Sequence, residues 1–172
     1  GVIPILSQSE LDTFYATLLG VKGGPPLVDS DPSPEQISAV KVRVIDQKDT
    51  PWADFALFTP FNARFLKQLK FKSFAQQPDG SFKTVEVPGP ASFEVWQSSW
   101  KVFTNVLLGL TMTGHTGEKI PIVTPSVLEE YFENFRELVS EYPDAWHLCV
   151  VAEGRCRAEH FSRLRRMRMI EH

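Results

Sequence analysis

Apolar positions recur at intervals of three and four along much of this chain, and alternate in one stretch. The longest recurrence is Phe93, Trp96, Trp100, Phe103, Leu107 and Leu110. That spacing matches the 3.6-residue helical period and places all these side chains on one face. A face rich in Trp and Phe has to be buried against something. Ser92 stands at its N-cap position. Upstream, Ser7 with Glu10 forms a capping-box signature ahead of Leu11, Phe14, Tyr15 and Leu18. It predicts a helix over 7–20, ended by Gly20 and the Gly23-Gly24-Pro25-Pro26 run, with a linker reaching Pro32. Ser33 followed by Pro34 reads as a second helix start, with Ile37, Val40 and Val44 at helical spacing. The β-branched Val42, Val44 and Ile45 leave a strand open there. The segment 52–58, between Pro51 and Pro60, reads as packed but irregular, and 62–69 as a short helix.

Alternation appears once. Residues 70–75 and 81–87 flank Gln77-Pro78-Asp79-Gly80, with Pro and Gly at the positions a type I turn favours. Lys83, Val85 and Val87 alternate with Phe82, Thr84 and Glu86, as in a half-buried strand. A hairpin over 70–87 follows, and Pro88-Gly89-Pro90 stops it. Residues 109–124, rich in Gly and Thr, read as a loop. Thr124-Pro125 then caps a helix whose Leu128, Tyr131, Phe132, Phe135, Leu138, Val139 and Tyr142 give a broad apolar face. Pro143 breaks it, and a last helix runs from Asp144 to about Met169. The expected architecture is mainly α (α+β): about five helices with one β-hairpin. An N-terminal helix and linker occupy 1–32, and the helical domain proper 33–172.

Composition changes this picture little. The 172 residues, 42% hydrophobic and 23% charged, suit one globular domain that buries enough surface to need no staple. No apolar run is long enough to span a bilayer. Gly1 to Leu6 lacks the basic region and cleavage site of a signal peptide, and a leading Gly without Met points to a processed or trimmed chain. Charge is more telling. Arg155, Arg157, Arg163, Arg165, Arg166 and Arg168 face only Glu159 and Glu171 over residues 155–172, a net of +4 within a chain of net −3. Such an end fits an acidic partner such as nucleic acid, with these arginines as contacts. It equally fits a solvated helix end whose cations oppose the dipole. Cys149 and Cys156 lie in one predicted helix about 10.5 Å apart in rise, beyond disulfide reach. Free thiols favour a reducing intracellular compartment, the cytoplasm by default.

Candidate chemistry is thin. Cys149, Glu153, Cys156 and His160 share a helical stripe, but it spans about 16 Å, so one metal ion cannot touch all four. Cys156 with His160 lacks the orienting group and oxyanion site of a thiol nucleophile. Residues 115–121, His-Thr-Gly-Glu-Lys-Ile-Pro, match the linker between classical zinc fingers without the Cys and His pairs that would justify it. They also lack the Gly-Lys-Ser/Thr ending of a phosphate loop. No catalytic residue, metal or cofactor is expected.

Three segments carry a family resemblance: Pro51-Trp-Ala-Asp-Phe-Ala-Leu-Phe-Thr-Pro-Phe-Asn-Ala-Arg64; Asp79-Gly-Ser-Phe with Val87-Pro-Gly-Pro-Ala-Ser-Phe-Glu-Val-Trp-Gln-Ser-Ser-Trp100; and Tyr142-Pro-Asp-Ala-Trp-His-Leu-Cys-Val-Val-Ala-Glu-Gly-Arg-Cys-Arg-Ala-Glu-His160. In order and spacing they resemble the Gag-like region of retrotransposon polyproteins of algal protist genomes, over roughly Pro34 to Met167. The resemblance implies a non-catalytic structural domain that self-associates or docks into a larger complex, its partners being other protein chains and possibly RNA. Nucleic-acid binding through the Arg-rich helix, or service as an accessory subunit of a large assembly, is the alternative. Phe93, Trp96, Trp100, Phe103, Tyr131, Phe135 and Trp146 are the candidate core or assembly residues. Trp100 and Phe103 are expected inside the core, and the interface on the helix at 125–142 or the Arg-rich end.

Overall fold

A computed structural model describes residues 4–46 and 70–171. The irregular segment at 52–58 and the short helix at 62–69 fall outside these residues, as do the side chains of 70–75, 84–88, Ala158 and 160–171. The chain is mainly helical: α1 (Gln8–Lys22), a 3-10 turn (Val28–Ser30), α2 (Pro34–Lys41) with a π-helical turn (Val42–Asp46), β1 (Lys70–Gln76), β2 (Phe82–Pro88), α3 (Phe93–Gly109), β3 (Thr111–Thr113), β4 (Lys119–Pro121), α4 (Pro125–Glu141) and α5 (Trp146–Glu171).

Local chemistry explains most boundaries. Ser7 Oγ accepts from the Glu10 amide at 3.1 Å while the Ser7 amide donates to Glu10 Oε1 at 3.3 Å. This reciprocal pair satisfies two amides that a helix start leaves unbonded. Ser33 and Gln36 do the same for α2, with Pro34 in its first turn. The strand left open at Val42–Ile45 is instead helical. Gly20 does not end α1, which runs on to Lys22 and closes at Gly23 (φ 76°), whose amide bonds Leu19 O. A glycine stops a helix only where the backbone turns left-handed, and Gly20 keeps helical geometry. Thr124 occupies the N-cap of α4 without a side-chain cap bond. Its hydroxyl lies 3.2 Å from Ser126 Oγ instead. Tyr142, expected on the apolar face of α4, is past the helix end and 55% exposed.

The β1–β2 hairpin pairs Gln76 with Phe82 and Lys70 with Pro88. Its turn closes through the Gly80 amide and Gln77 O at 2.9 Å, with Gly80 at φ 88°. That is a type I turn followed by a left-handed residue, a common hairpin closure. The stretch 109–124 is not wholly loop. Thr111–Thr113 pairs with Lys119–Pro121, and the Gly117 amide bonds Gly114 O at 3.1 Å with Gly117 at φ 81°. The two turns are closed alike: Asp79 accepts from the Ser81 amide, and Glu118 from the Thr116 amide and hydroxyl. Both carboxyls are held below their usual range, chiefly by the side-chain hydroxyls of Ser81 and Thr116. Three-residue strands are too short for alternation to register in the sequence.

The core is built around α3. Trp96, Val102, Phe103, Val106 and Leu107 are fully buried, and so are the polar Ser99 and Asn105. α3 is therefore covered nearly all round rather than along one stripe. α1 and α2 pack on it from the N-terminal part of the chain, and α4 covers another side and carries α5. Phe14 and Leu18 of α1 belong to the same cluster as Trp96 and Phe135. The segment 1–32, read as helix and linker, is stitched to the rest. Asn105 donates to Ser30 O at 2.9 Å, Ser38 to Pro4 O at 2.6 Å, and Lys41 pairs with Glu10 at 2.9 Å. Gly109 is required where it stands, because a Cβ there would overlap the Phe14 ring.

Candidate functional site

The aromatic stripe is a continuous stack. Phe93 lies on Trp96 at 5.8 Å, Trp96 on Trp100 at 5.2 Å, and Trp100 on Tyr131 of α4 at 5.2 Å, with interplanar angles of 18°, 12° and 14°. Phe135 tilts against Trp96 at 4.5 Å and against Trp146 of α5 at 5.9 Å. Trp146 Nε1 donates to Pro90 O at 2.8 Å, tying the start of α5 to the α3 approach. Trp96, Trp100, Phe103 and Phe135 are buried, while Phe93, Tyr131 and Trp146 are half-buried against them. All of these candidate core or assembly residues join the core cluster, with Trp100 and Phe103 buried in it.

Under this stack lies the chain's most unusual chemistry. Glu153 and Arg157, one turn apart on α5, are 4% and 3% exposed. Arg157 Nε is 3.0 Å from Glu153 Oε1. The Tyr131 hydroxyl donates to the same carboxylate oxygen at 3.1 Å and sits 3.2 Å from Glu153 O. The Arg157 guanidinium also lies 5.5 Å from the centre of the Phe103 ring, within cation–π range. Burial pushes the Glu153 carboxyl up, although Arg157 and the hydrogen bonds of Trp96 and Tyr131 pull it down. Burial, reinforced by the Glu153 charge, drives the Tyr131 phenol far above its ordinary range, so it remains a donor. An ion pair this buried positions α5 on α3 and α4 but is closed to a substrate.

The arginines do not act as one group. Arg155 is exposed. Arg157 is not available for a nucleic-acid contact, because its side chain is taken up by Glu153 and Phe103 in the interior. Arg163, Arg165, Arg166 and Arg168 lie on the helical backbone of α5, with side chains outside the described residues. Sequence reasoning placed Glu153 on a possible ligand stripe and missed its partnership with Arg157. The signal was present: Trp146, Cys149, Val150, Glu153 and Arg157 share a three-and-four spacing, so the charged pair falls on the apolar face.

The other candidate ligands separate similarly. Cys149 is buried, which pushes its thiol up, and Cys156 is exposed rather than buried; both are free thiols. His160 lies outside the described side chains. Among the described residues no group of three His, Cys, Asp or Glu is placed to hold a metal ion, and no helix is long and apolar enough to cross a membrane.

Apolar and charged residues are exposed side by side on the last two helices. On α5, Leu148 and Val151 are 62% and 51% exposed, about two turns and one turn from exposed Arg155. On α4, Glu129, Glu130, Glu133, Glu137 and Glu141 are all exposed, with Arg136 bound to Glu133 at 2.6 Å. Comparison with protein-family models, curated proteins and solved structures gave no match.

Proposed function

We propose that this chain is a non-catalytic structural domain that associates with other protein chains, its own copies first, in the manner of a capsid-forming Gag domain. The observation that carries the reading is the disposition of side chains on α4 and α5. Glu153 and Arg157, which the fold pairs on α5, are sealed in the core. The outer face of α5 carries Leu148 and Val151 near Arg155, that of α4 carries a row of glutamates, and Tyr142 stands exposed just past the end of α4. Buried polar networks fix a helix in place, whereas mixed apolar and charged outer faces suit docking. The resemblance of residues 34–167 to Gag-like regions agrees with this reading.

Light scattering on size-exclusion fractions tests it. Association that grows between low and high micromolar concentration is expected, as is recovery of the native protein with stoichiometric protein partners. A strict monomer at high micromolar concentration that co-purifies alone would refute the reading.

A further inference from the structure

The described contacts that hold α1 to the body of the molecule cross one hinge. Phe14 and Leu18 are buried in the common core, and the Phe14 ring leaves no room for a Cβ at Gly109, where α3 ends. Tyr15 donates to Asp31 at 2.7 Å, and Glu10 pairs with Lys41 of α2 at 2.9 Å. Ahead of α1, Pro4 O accepts from Ser38 of α2 at 2.6 Å. These partners lie beyond Ser30, whose carbonyl is held by Asn105 of α3.

The hinge between them is tied only to itself. Residues 23–29 are mostly exposed, and among the described residues their hydrogen bonds are local: the Gly23 amide to Leu19 O, and the Ser30 and Asp31 amides to Leu27 O and Val28 O. The path observed depends on Gly23, whose φ of 76° ends α1 with a left-handed residue. Gly24-Pro25-Pro26 then favours an extended course, because each proline fixes its own φ and keeps the residue before it out of helical geometry. Leu27 and Val28 follow, 80% and 72% exposed.

We propose that α1 is exchanged between copies: the α1 of one chain occupies the groove on α2 and α3 of a second, which returns its own. The inference rests on the self-association reading above and adds a contact distinct from the outer faces of α4 and α5. The groove already accepts this helix, with Phe14, Tyr15, Leu18 and Glu10 matched to it, and the α1 of any copy is identical. Those contacts are the same in the closed and exchanged forms and cancel, so the hinge sets the balance. A tether this short keeps α1 near its own groove at a millimolar effective concentration, so dilute chains stay closed. Exchange straightens the hinge, removes the left-handed requirement at residue 23 and lays two hinges together about a twofold axis. There Leu27 and Val28 of each copy cover those of the other.

The test uses the full chain refolded from urea at high micromolar concentration, as an equal mixture of unlabelled and nitrogen-15-labelled protein. Size exclusion separates dimer from monomer, a zero-length carbodiimide joins Glu10 to Lys41, and mass spectrometry reads the label on each side of the link. About half of the links in the dimer should join a light chain to a heavy one, as random exchange gives, and links in the monomer should carry a single label. A dimer whose links carry a single label overturns the exchange alone and leaves association to α4 and α5. A chain that never associates sinks the functional reading itself. Gly23→Ala penalises the left-handed turn of the closed hinge, twice per dimer, and should lower the self-dissociation constant at least about tenfold. An unchanged or higher constant in a variant that circular dichroism shows to be folded also overturns the exchange; if that variant unfolds, the labels on the wild-type links decide.

Discussion

Removing one partner of the Glu153–Arg157 pair should cost far more than removing both. The pair is almost wholly desolvated. At about 4 Å between charge centres and an effective dielectric near 20, the attraction is about 4 kcal/mol. Several kcal/mol per ion of lost hydration oppose it, so the net contribution of the pair is small. Arg157→Met leaves Glu153 buried without its cation and should destabilise the fold by about 3–5 kcal/mol at neutral pH. Glu153→Leu strands the guanidinium at similar cost, although Tyr131 keeps the Glu153 carbonyl as acceptor. The double variant should return to within about 1–2 kcal/mol of wild type, because both unpaired charges are gone. The pH dependence has a definite sign. Burial already raises the Glu153 carboxyl above its usual value of 4.5, and loss of Arg157 raises it further. A carboxyl raised in the folded state favours folding below its unfolded value, and that contribution is lost as pH rises through the folded value. The penalty of Arg157→Met should therefore shrink between pH 7 and pH 5. Urea unfolding followed by tryptophan fluorescence at both pH values measures all three variants. A single-variant cost below about 1 kcal/mol at pH 7, or a double variant no better than the worse single, would refute the argument.

Other substitutions probe the packing that holds this pair. Trp100→Ala removes a ring stacked on both Trp96 and Tyr131 and should cost about 3–5 kcal/mol in thermal unfolding; an unchanged melting temperature with lost oligomers would place Trp100 in an interface instead. Gly109→Ala should destabilise by more than about 1 kcal/mol despite alanine's better helix propensity, since its Cβ meets the Phe14 ring; denaturant midpoints decide the sign. Ser99 is fully buried and its hydroxyl has no partner among the described residues, so Ser99→Ala should be neutral or stabilising by up to about 1 kcal/mol, and a loss above that amount would reveal a bond to its hydroxyl.

Features written in neighbouring residues were readable in the chain. Both capping boxes, the aromatic period of α3 and the Gln77–Gly80 turn depend on side chains within four positions of one another, where chain geometry alone decides what meets. The β3–β4 hairpin escaped because three residues per strand give no period, and the left-handed Gly117 and the Thr116–Glu118 clasp that close its turn have no such signature. The site was harder to read for a different reason. Net charge adds up along a sequence regardless of direction, so the arginines of 155–168 looked like one basic surface. Burial depends on angle: at about 100° per residue, Arg157 stands about 200° from Arg155 around α5 but only about 40° from Glu153. That rotation sends Arg155 to solvent and Arg157 beneath the Phe103 ring. The helix holds a charged pair in the core where α4 supplies Tyr131 and α3 the Phe103 ring. A slide of α5 by one turn, about 5.4 Å, would break the Tyr131–Glu153 contact and leave the buried carboxylate without that donor.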